Sequence, residues 1–279
     1  MQRPAQRQAT RPALPSAPLD ELPPELARVR AELAAGPWTL ERLDRAVDEL
    51  EAFVFGGGDD APELIRRLGV ETVAELREAY CAWETLLEER FACQAIRARA
   101  ADYHSYPLSS RFRRLLAREL SLAGGPPPQR ALFVGSGPLP ISAVWLHGLS
   151  GARVDCVDHS GHAVRCSRAY LRALGLDERI RVLHGSGEGT DPAGYDLVLV
   201  ALLAKPKRAI LRRLHAAAAP GTRIVCRTSH GLQRLLYEPT DESRAVRPFF
   251  EVAGVAVAGS GSADTISSLA LRPRGAEVA

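Results

Sequence analysis

The chain has 279 residues, of which 46% are hydrophobic and 25% are charged, the composition of an ordinary folded globular protein. Its formal net charge of +3 is close to balance, so we expect neither nucleic-acid nor membrane-surface binding. The five cysteines form no Cys-x-x-Cys pair, which argues against a structural zinc site and for a reducing compartment. We therefore predict a cytoplasmic protein that holds no metal.

The first part of the chain indicates a tail followed by helices. Residues 1–20 are rich in Pro, Arg, Gln and Ala, and we predict that they are disordered. Residues 21–125 show apolar spacing of three and four, which predicts an all-helical N-terminal domain. The predicted helices are Pro24–Ala35, Leu40–Phe55, Ala61–Leu68, Val73–Arg99 and Arg111–Leu122.

From residue 126 to 279 the pattern changes to alternating strands and helices. The predicted strands are Ala131–Val134, Arg153–Val157, Ile180–Leu183, Leu197–Leu203 and Arg223–Arg227, followed by a hairpin of Phe250–Ala258 and Thr265–Leu271. The intervening helices are predicted at Ile141–Ser150, Gly161–Leu174 and Lys205–Ala218. This order predicts an α/β domain with a class I methyltransferase-like (Rossmann-type) sheet whose last strand runs antiparallel.

A glycine-rich turn follows the first predicted strand. Gly135 and Gly137 allow a sharp turn and close approach to a ligand, and Ser136 lies between them. Pro138 and Pro140 remove two amide donors from the position where a pyrophosphate would need them. The loop therefore favours an adenosine ligand without a phosphate chain, and S-adenosylmethionine fits that description better than NAD.

Other strand ends supply further candidates for cofactor binding. Asp158 closes the second strand, where a carboxylate accepts bonds from ribose hydroxyls; the alternative is a cap on the next helix. Gly185 and Ser186 follow the third strand, where small residues admit an adenine ring, although a simple turn explains them equally well. Ala201 and Leu202, at the end of the fourth strand, either floor the pocket or belong to the core.

Arg227, His230 and Tyr237 follow the fifth strand and are candidates for substrate binding. Arginine, histidine and hydroxyl groups at this edge of a sheet are suited to hold a carboxylate. The alternative is that Arg227 is a structural ion-pair partner and that His230 caps a turn. In the long helix, Glu84 and Glu88 stand one turn apart, and by default such charged residues form a solvated face.

Several motifs in order resemble the nicotianamine synthase family, including its bacterial branch that makes staphylopine- and pseudopaline-type metallophores. The helix Glu-Thr-Leu-Leu-Glu-Glu-Arg-Phe and the glycine loop with its two prolines carry the resemblance. So do Tyr-Pro-Leu-Ser-Ser-Arg-Phe, Arg-Thr-Ser-His-Gly with the following Leu-Tyr, and Asp-Thr-Ile-Ser-Ser. In this chain the segments are Glu84–Phe91, Phe133–Pro140, Tyr106–Phe112, Arg227–Tyr237 and Asp264–Ser268.

The resemblance implies an S-adenosylmethionine-dependent transfer of an aminobutanoyl group, with methylthioadenosine as the leaving product. It implies Glu84 as the base that takes a proton from the substrate amine and Tyr106 as the residue that positions the amine. The tyrosine pair of the plant segment is Leu108-Ser109 here. The short, bacterial-looking form suggests histidine as acceptor, in a pathway completed by an opine-type dehydrogenase.

Several alternatives remain open at this point. They are nicotianamine synthesis proper, a small-molecule N- or O-methyltransferase, and a module that binds S-adenosylmethionine without turnover. The oligomeric state is also open, with a homodimer among the options.

Overall fold

The computed structural model describes residues 22–57, 61–99, 101–259 and 263–274. The predicted disordered tail, residues 1–20, and the tip of the C-terminal hairpin lie outside these ranges. Across the described residues, no helix is both long and apolar enough to cross a lipid bilayer.

Helices precede the first strand, as the sequence predicts. They are α1 (Pro24–Ala34), α2 (Leu40–Gly56), α3 (Ala61–Ala98) and α4 (Ser109–Ala123). Thr39 caps α2 by accepting a hydrogen bond from the amide of Arg42. Helix α3 spans both predicted segments, with a break at Gly69, whose φ of 74° lies in the left-handed region that favours glycine.

The second part of the chain forms a seven-stranded sheet with the order β3-β2-β1-β4-β5-β7-β6. The strands are β1 (Arg130–Val134), β2 (Arg153–Asp158), β3 (Ile180–His184), β4 (Leu197–Val200), β5 (Arg223–Thr228), β6 (Phe250–Ala256) and β7 (Ser267–Pro273). Strands β1 to β5 are parallel, whereas β7 pairs antiparallel with both β5 and β6. This arrangement confirms the class I methyltransferase-like fold.

Helices cover both faces of the sheet, as a mostly parallel sheet requires. They are α5 (Ile141–Ser150), α6 (Gly161–Leu174) and α7 (Lys207–Ala217). One apolar cluster joins α7 to the sheet through Leu132, Val198 and Ile210. The other runs from the sheet into the N-terminal helices and includes Phe133 and Leu50. Because this second cluster is continuous, the division into domains at residues 125 and 126 stays a prediction.

The fourth strand is shorter than predicted. It ends at Val200 instead of Leu203, because the carbonyl groups of Ala201 and Leu202 accept hydrogen bonds from the Lys207 ammonium group and not from a neighbouring strand. Helix α7 accordingly begins at Lys207.

Smaller differences affect three other boundaries. Helix α4 begins at Ser109, two residues before the predicted start. In the hairpin, β6 ends at Ala256 and β7 begins at Ser267, so each strand is two residues shorter at the turn than predicted. At this end of the hairpin, the Ser267 hydroxyl accepts a hydrogen bond from the Ala258 amide.

A buried ion pair fixes α4 to the sheet. Arg227, the fifth residue of β5, donates from Nε and Nη2 to the two carboxylate oxygens of Glu119 at 2.8 and 2.9 Å. The hydroxyl of Ser268 on β7 donates to the same carboxylate at 2.7 Å. Both charged side chains are almost fully buried, so each needs the other to offset its loss of hydration.

We therefore expect Glu119→Ala to lower the free energy of unfolding by about 3–5 kcal/mol, because it leaves the buried guanidinium unpaired. Denaturant titration followed by circular dichroism measures this change. Glu63→Ala, which breaks an exposed ion pair with Arg66, is the control and should have a far smaller effect. Equal losses in the two variants would contradict the structural role given to the buried pair.

Candidate active site

A cavity of about 340 Å³ lies at the carboxyl ends of the parallel strands, beneath helix α3. This edge of the sheet is where open α/β folds bind their ligands. The walls come from the loop after β1, the ends of β2, β4 and β5, and the middle of α3. The volume lies within the range of small-molecule sites.

The glycine loop forms one wall of this cavity. Gly135 and Gly137 have φ values of 88° and 69°, and a Cβ on either residue would come within 3.1 Å of a neighbouring side chain. Pro138 also lines the cavity. Two of the loop amides are already used, since Gly135 N–H donates to the carbonyl of Val157 and Gly137 N–H donates to the Asp158 carboxylate. They are thus not available to a pyrophosphate, in agreement with the prediction of a phosphate-free ligand.

Ser136 offers the loop's free polar group. Its side chain is buried, at 7% exposure, and lines the cavity, yet its hydroxyl has no hydrogen-bond partner in the protein. A buried hydroxyl without a partner is costly unless something else satisfies it. A ligand in the cavity could supply the partner that the Ser136 hydroxyl lacks.

Asp158 lies at the end of β2 and also lines the cavity. One of its oxygens accepts from the Gly137 amide at 2.8 Å and the other from the Ser160 amide at 2.9 Å. The hydroxyl of Ser160, and not Asp158, caps helix α6 by accepting from the Ala163 amide. Each carboxylate oxygen keeps a lone pair for a ligand hydroxyl.

Ala201 and Leu202 form the opposite wall, and both line the cavity. The ammonium group of Lys207 holds their carbonyl groups, with 3.2 Å between Nζ and the Leu202 oxygen. Burial lowers the pKa of Lys207. The lysine thus fixes the backbone at the cavity wall.

Glu84 extends from α3 into the cavity, where it is 9% exposed. The hydroxyl of Tyr237 donates to its Oε1 at 2.8 Å, so these two residues, predicted separately, meet in the fold. Burial raises the pKa of Glu84, and the hydrogen bond from Tyr237 opposes that rise.

Glu88, one turn further along α3, faces the glycine loop. Its Oε2 lies 3.1 Å from the position of a Cβ on Gly137, and its carboxylate accepts a hydrogen bond from the Leu139 amide. Desolvation, followed by the charges of Glu84 and Asp158, raises the pKa of Glu88 well above its ordinary value. Sequence reasoning treated Glu88 as solvated surface. Its spacing of four residues from Glu84 was the signal that it shares the same helix face.

Arg227 lines the cavity although its charge is paired with Glu119. Besides that pair, Nη1 donates to the Ser142 hydroxyl at 3.0 Å, and the guanidinium lies 5.1 Å from the centre of the Phe133 ring. A guanidinium has five N–H groups, and these contacts leave two of them for a ligand. Arg227 is thus a structural ion-pair partner, as the alternative interpretation held, and it also lines the cavity.

The remaining predicted residues do not line the cavity. Tyr106 is 1% exposed and packs against the Phe91 ring, and its hydroxyl has no partner. His230 lies beyond β5, where its Nε2 is likewise buried without a partner. Gly185 and Ser186 follow β3, where the Ser186 hydroxyl accepts from the Gly189 amide and caps a short 3-10 turn. Their predicted roles stay predictions.

Because the folded protein raises the pKa of Glu88, it keeps a proton that the unfolded chain loses above about pH 4.5. The stability contributed by that proton is present at low pH and is lost as the pH rises through the raised pKa. We expect Glu88→Gln to have a higher melting temperature than the wild type at neutral pH, with the difference vanishing below pH 4.5. Thermal melts across a pH series measure this.

The matched control is Glu89→Gln, at the neighbouring position, where the carboxylate lies 3.2 Å from His162. This variant should show no such gain. A Glu88→Gln protein that is less stable than the wild type at neutral pH would contradict the electrostatic description of the cavity.

Comparison with known proteins places this geometry in a family. A family model described as "Nicotianamine synthase protein" matches residues 60–268. The chain is 31% identical over 170 residues to L-histidine 2-aminobutanoyltransferase of Yersinia pestis, covering 61% of this chain and 63% of that protein. It is 35% identical over 150 residues to Nicotianamine synthase 9 of Hordeum vulgare, covering 50% of this chain and 43% of that protein.

Solved structures agree with these matches. A crystal structure of a glutamate-to-glutamine mutant of MtNAS in complex with S-adenosylmethionine superposes with a TM-score of 0.79 at 25% identity. The superposition covers 89% of this chain and 96% of that one. Since the family model spans most of the sequence, the chain belongs to the nicotianamine synthase family.

Proposed function

We propose that the chain is an enzyme that transfers the 2-aminobutanoyl (3-amino-3-carboxypropyl) group of S-adenosylmethionine to the amine of an amino acid and releases methylthioadenosine. The observation that carries this proposal is the approach of α3 to the glycine loop, which brings the Glu84 and Glu88 carboxyls into the nucleotide cavity. A methyltransferase-like sheet alone does not need such a pair. An amine nucleophile needs one such carboxyl as a base, because it must lose a proton before it can attack.

The cavity residues fit S-adenosylmethionine as co-substrate. Gly135 and Gly137 leave room beside the loop that a side chain would fill, and the Ser136 hydroxyl lacks a protein partner. Asp158 is placed to accept from ribose hydroxyls, and Ala201 offers an apolar wall. When bound, S-adenosylmethionine supplies a sulfonium whose methionyl Cγ is open to attack by the amine.

Glu88 is the stronger candidate for the base. Its carboxylate faces the loop, whereas Glu84 is held by the Tyr237 hydroxyl. Burial raises its pKa, which makes the ionised Glu88 carboxylate a stronger base toward the substrate amine. The charge of Glu84 contributes to that rise, so Glu84 acts through Glu88 in this scheme. The resemblance instead implies Glu84 itself as the base, with Tyr106 positioning the amine, and the variants below separate the two.

Arg227 is proposed to hold a substrate carboxylate with its remaining N–H groups. Its pairing with Glu119 fixes the guanidinium plane, so little side-chain entropy is lost when a carboxylate binds. The same pairing neutralises the charge of Arg227. The arginine would therefore orient the substrate carboxylate through hydrogen bonds more than attract it over a distance. His230 belongs to the same loop, and we keep its substrate-binding role as a prediction.

Histidine is our proposed acceptor, because that is the substrate named for the relatives in Yersinia pestis and in Pseudomonas aeruginosa; the latter is 28% identical over 210 residues. The product keeps the primary amine of the transferred aminobutanoyl group, and we propose that an opine-type dehydrogenase acts next by joining that amine to an α-keto acid. The second candidate is nicotianamine synthesis proper, in which aminobutanoyl units are joined repeatedly, and the plant relatives favour it.

The leaving product separates the classes of reaction. Incubation of the protein with S-adenosylmethionine and histidine should yield methylthioadenosine and one aminobutanoyl-histidine, detected by mass spectrometry. A product that contains only aminobutanoyl units would favour nicotianamine synthesis. S-adenosylhomocysteine as the sole product would contradict the proposal and establish a methyltransferase instead.

Substitution of the two glutamates tests the assignment of the base. Glu88→Gln should lower turnover by about a hundredfold or more while S-adenosylmethionine still binds. Glu84→Gln should lose less activity, and the acid limb of its pH profile should move to lower pH because a charge that raises the pKa of Glu88 is gone.

The reverse ranking, with Glu84→Gln inactive and Glu88→Gln active, would overturn our choice and support the assignment implied by the resemblance. Glu89→Gln is the charge-matched control for both variants. Calorimetry with S-adenosylmethionine shows whether each variant still binds the co-substrate.

A further inference from the structure

Two pairs of chemically active side chains meet where α3 packs against α6. On α3, Glu89 and Cys93 stand one turn apart; on α6, His162 and Cys166 stand one turn apart. The Nε2 atom of His162 lies 3.2 Å from Oε1 of Glu89 and 3.6 Å from the Cys166 sulfur. Glu89 and His162 also line the mouth of the cavity. The proposed reaction uses neither thiol.

The register of the two helices places Cys93 opposite Cys166. Glu89 contacts His162, and further along the same pair of helices Ile96 and Ala169 line a common groove. The residue numbers differ by 73 in the Glu89–His162 contact and again between Ile96 and Ala169 in the groove, which indicates that the helices run parallel in that register. Cys93 and Cys166 are also 73 residues apart. Burial, followed by the charge of a Cys93 thiolate, raises the pKa of Cys166, in agreement with their proximity.

We propose that Cys93 and Cys166 are a redox-active thiol pair that a peroxide converts into a disulfide between α3 and α6. Cys93 is exposed and is the thiol that meets the oxidant, whereas Cys166 is partly buried. Thiolate attack breaks the O–O bond, gives a sulfenic acid on Cys93 and releases water. The Cys166 thiol then displaces a second water and forms the S–S bond. Overall, two thiols and one hydrogen peroxide yield one disulfide and two waters.

A disulfide explains this cluster better than a metal bridge does. Within the described ranges, no three His, Cys, Asp or Glu side chains are arranged to hold a metal ion. Adjacent positions on packed parallel helices, in contrast, are the kind of place where two cysteines reach bonding distance. Disulfides in reducing compartments are mostly transient, catalytic or redox-sensing, which matches a pair that has one exposed thiol and lies beside the cavity.

The bond would tie the helix that carries Glu84 and Glu88 to the helix that follows Asp158. The disulfide would then restrict the separation of α3 from α6 at the Glu89–His162 contact. Ligands would enter and leave the cavity more slowly. This consequence, though not the thiol chemistry, rests on the proposed function. We expect turnover to fall on oxidation and to recover with dithiothreitol.

The test treats the full chain with hydrogen peroxide and then counts free thiols in the unfolded protein. The wild type should lose two of its five thiols and decrease in mass by two hydrogen atoms. Proteolytic digests should contain one pair of peptides linked through Cys93 and Cys166, and dithiothreitol should separate them. Cys93→Ser and Cys166→Ser should each prevent the loss of two thiols and keep their turnover after treatment. Cys81→Ser, a partly buried cysteine on the same helix, is the matched control and should behave as the wild type.

Three results would overturn the inference: no loss of thiols, a linked peptide that involves another cysteine, or a link between two chains. A loss of reactive thiols that a chelator reverses and dithiothreitol does not would also overturn it, because it would indicate a metal. If the reduced protein forms no methylthioadenosine while the Cys93–Cys166 link still forms, the proposed function fails and the thiol pair stands. If the reduced enzyme turns over normally and no link forms, only the present inference fails.

Discussion

The close contact between helix α3 and the loop after β1 organises the candidate site. Gly137 has a left-handed φ, and a Cβ there would come within 3.1 Å of the Glu88 carboxylate, so the loop strongly favours glycine at this point. The Glu88 carboxylate in turn accepts a hydrogen bond from Leu139, which joins the helix to the loop. A nucleotide site on a Rossmann-type sheet and a set of carboxyls from a preceding helix thus become a single cavity.

The charges of this cavity are unevenly compensated. Four carboxyl groups line it, those of Glu84, Glu88, Glu89 and Asp158. The Arg227 guanidinium also lines it, but it is already paired with Glu119. Burial raises the pKa of Glu84 and of Glu88, and at Glu88 the charges of Glu84 and Asp158 add to the rise. The buried carboxyls of α3 therefore lower the stability of the free protein, and packing elsewhere must offset this loss. Such a loss is common at functional sites.

Much of the fold could be predicted because its signals are local. The boundaries of α5 and α6 agree with those predicted from the apolar spacing. The residue types of the glycine loop are enough to predict a turn there. The site was harder, because its partners come from distant parts of the chain. The Tyr237 hydroxyl meets Glu84 from 153 positions away, and Arg227 finds Glu119 from 108 positions away. No periodicity encodes such pairs. Glu88 was missed for a related reason, since only the packing of α3 against the loop distinguishes it from a surface glutamate.

The crowding of carboxyls around the nucleotide loop has a consequence for product inhibition. In the proposed reaction a positively charged sulfonium becomes a neutral thioether, so the ligand loses the charge that the cavity of Glu84, Glu88 and Asp158 attracts. The affinity for the nucleoside product then falls at the moment it is formed, because attraction to carboxylates contributes to binding of the co-substrate alone. If the proposed reaction takes place here, this loss of charge favours release of methylthioadenosine and weakens inhibition by it.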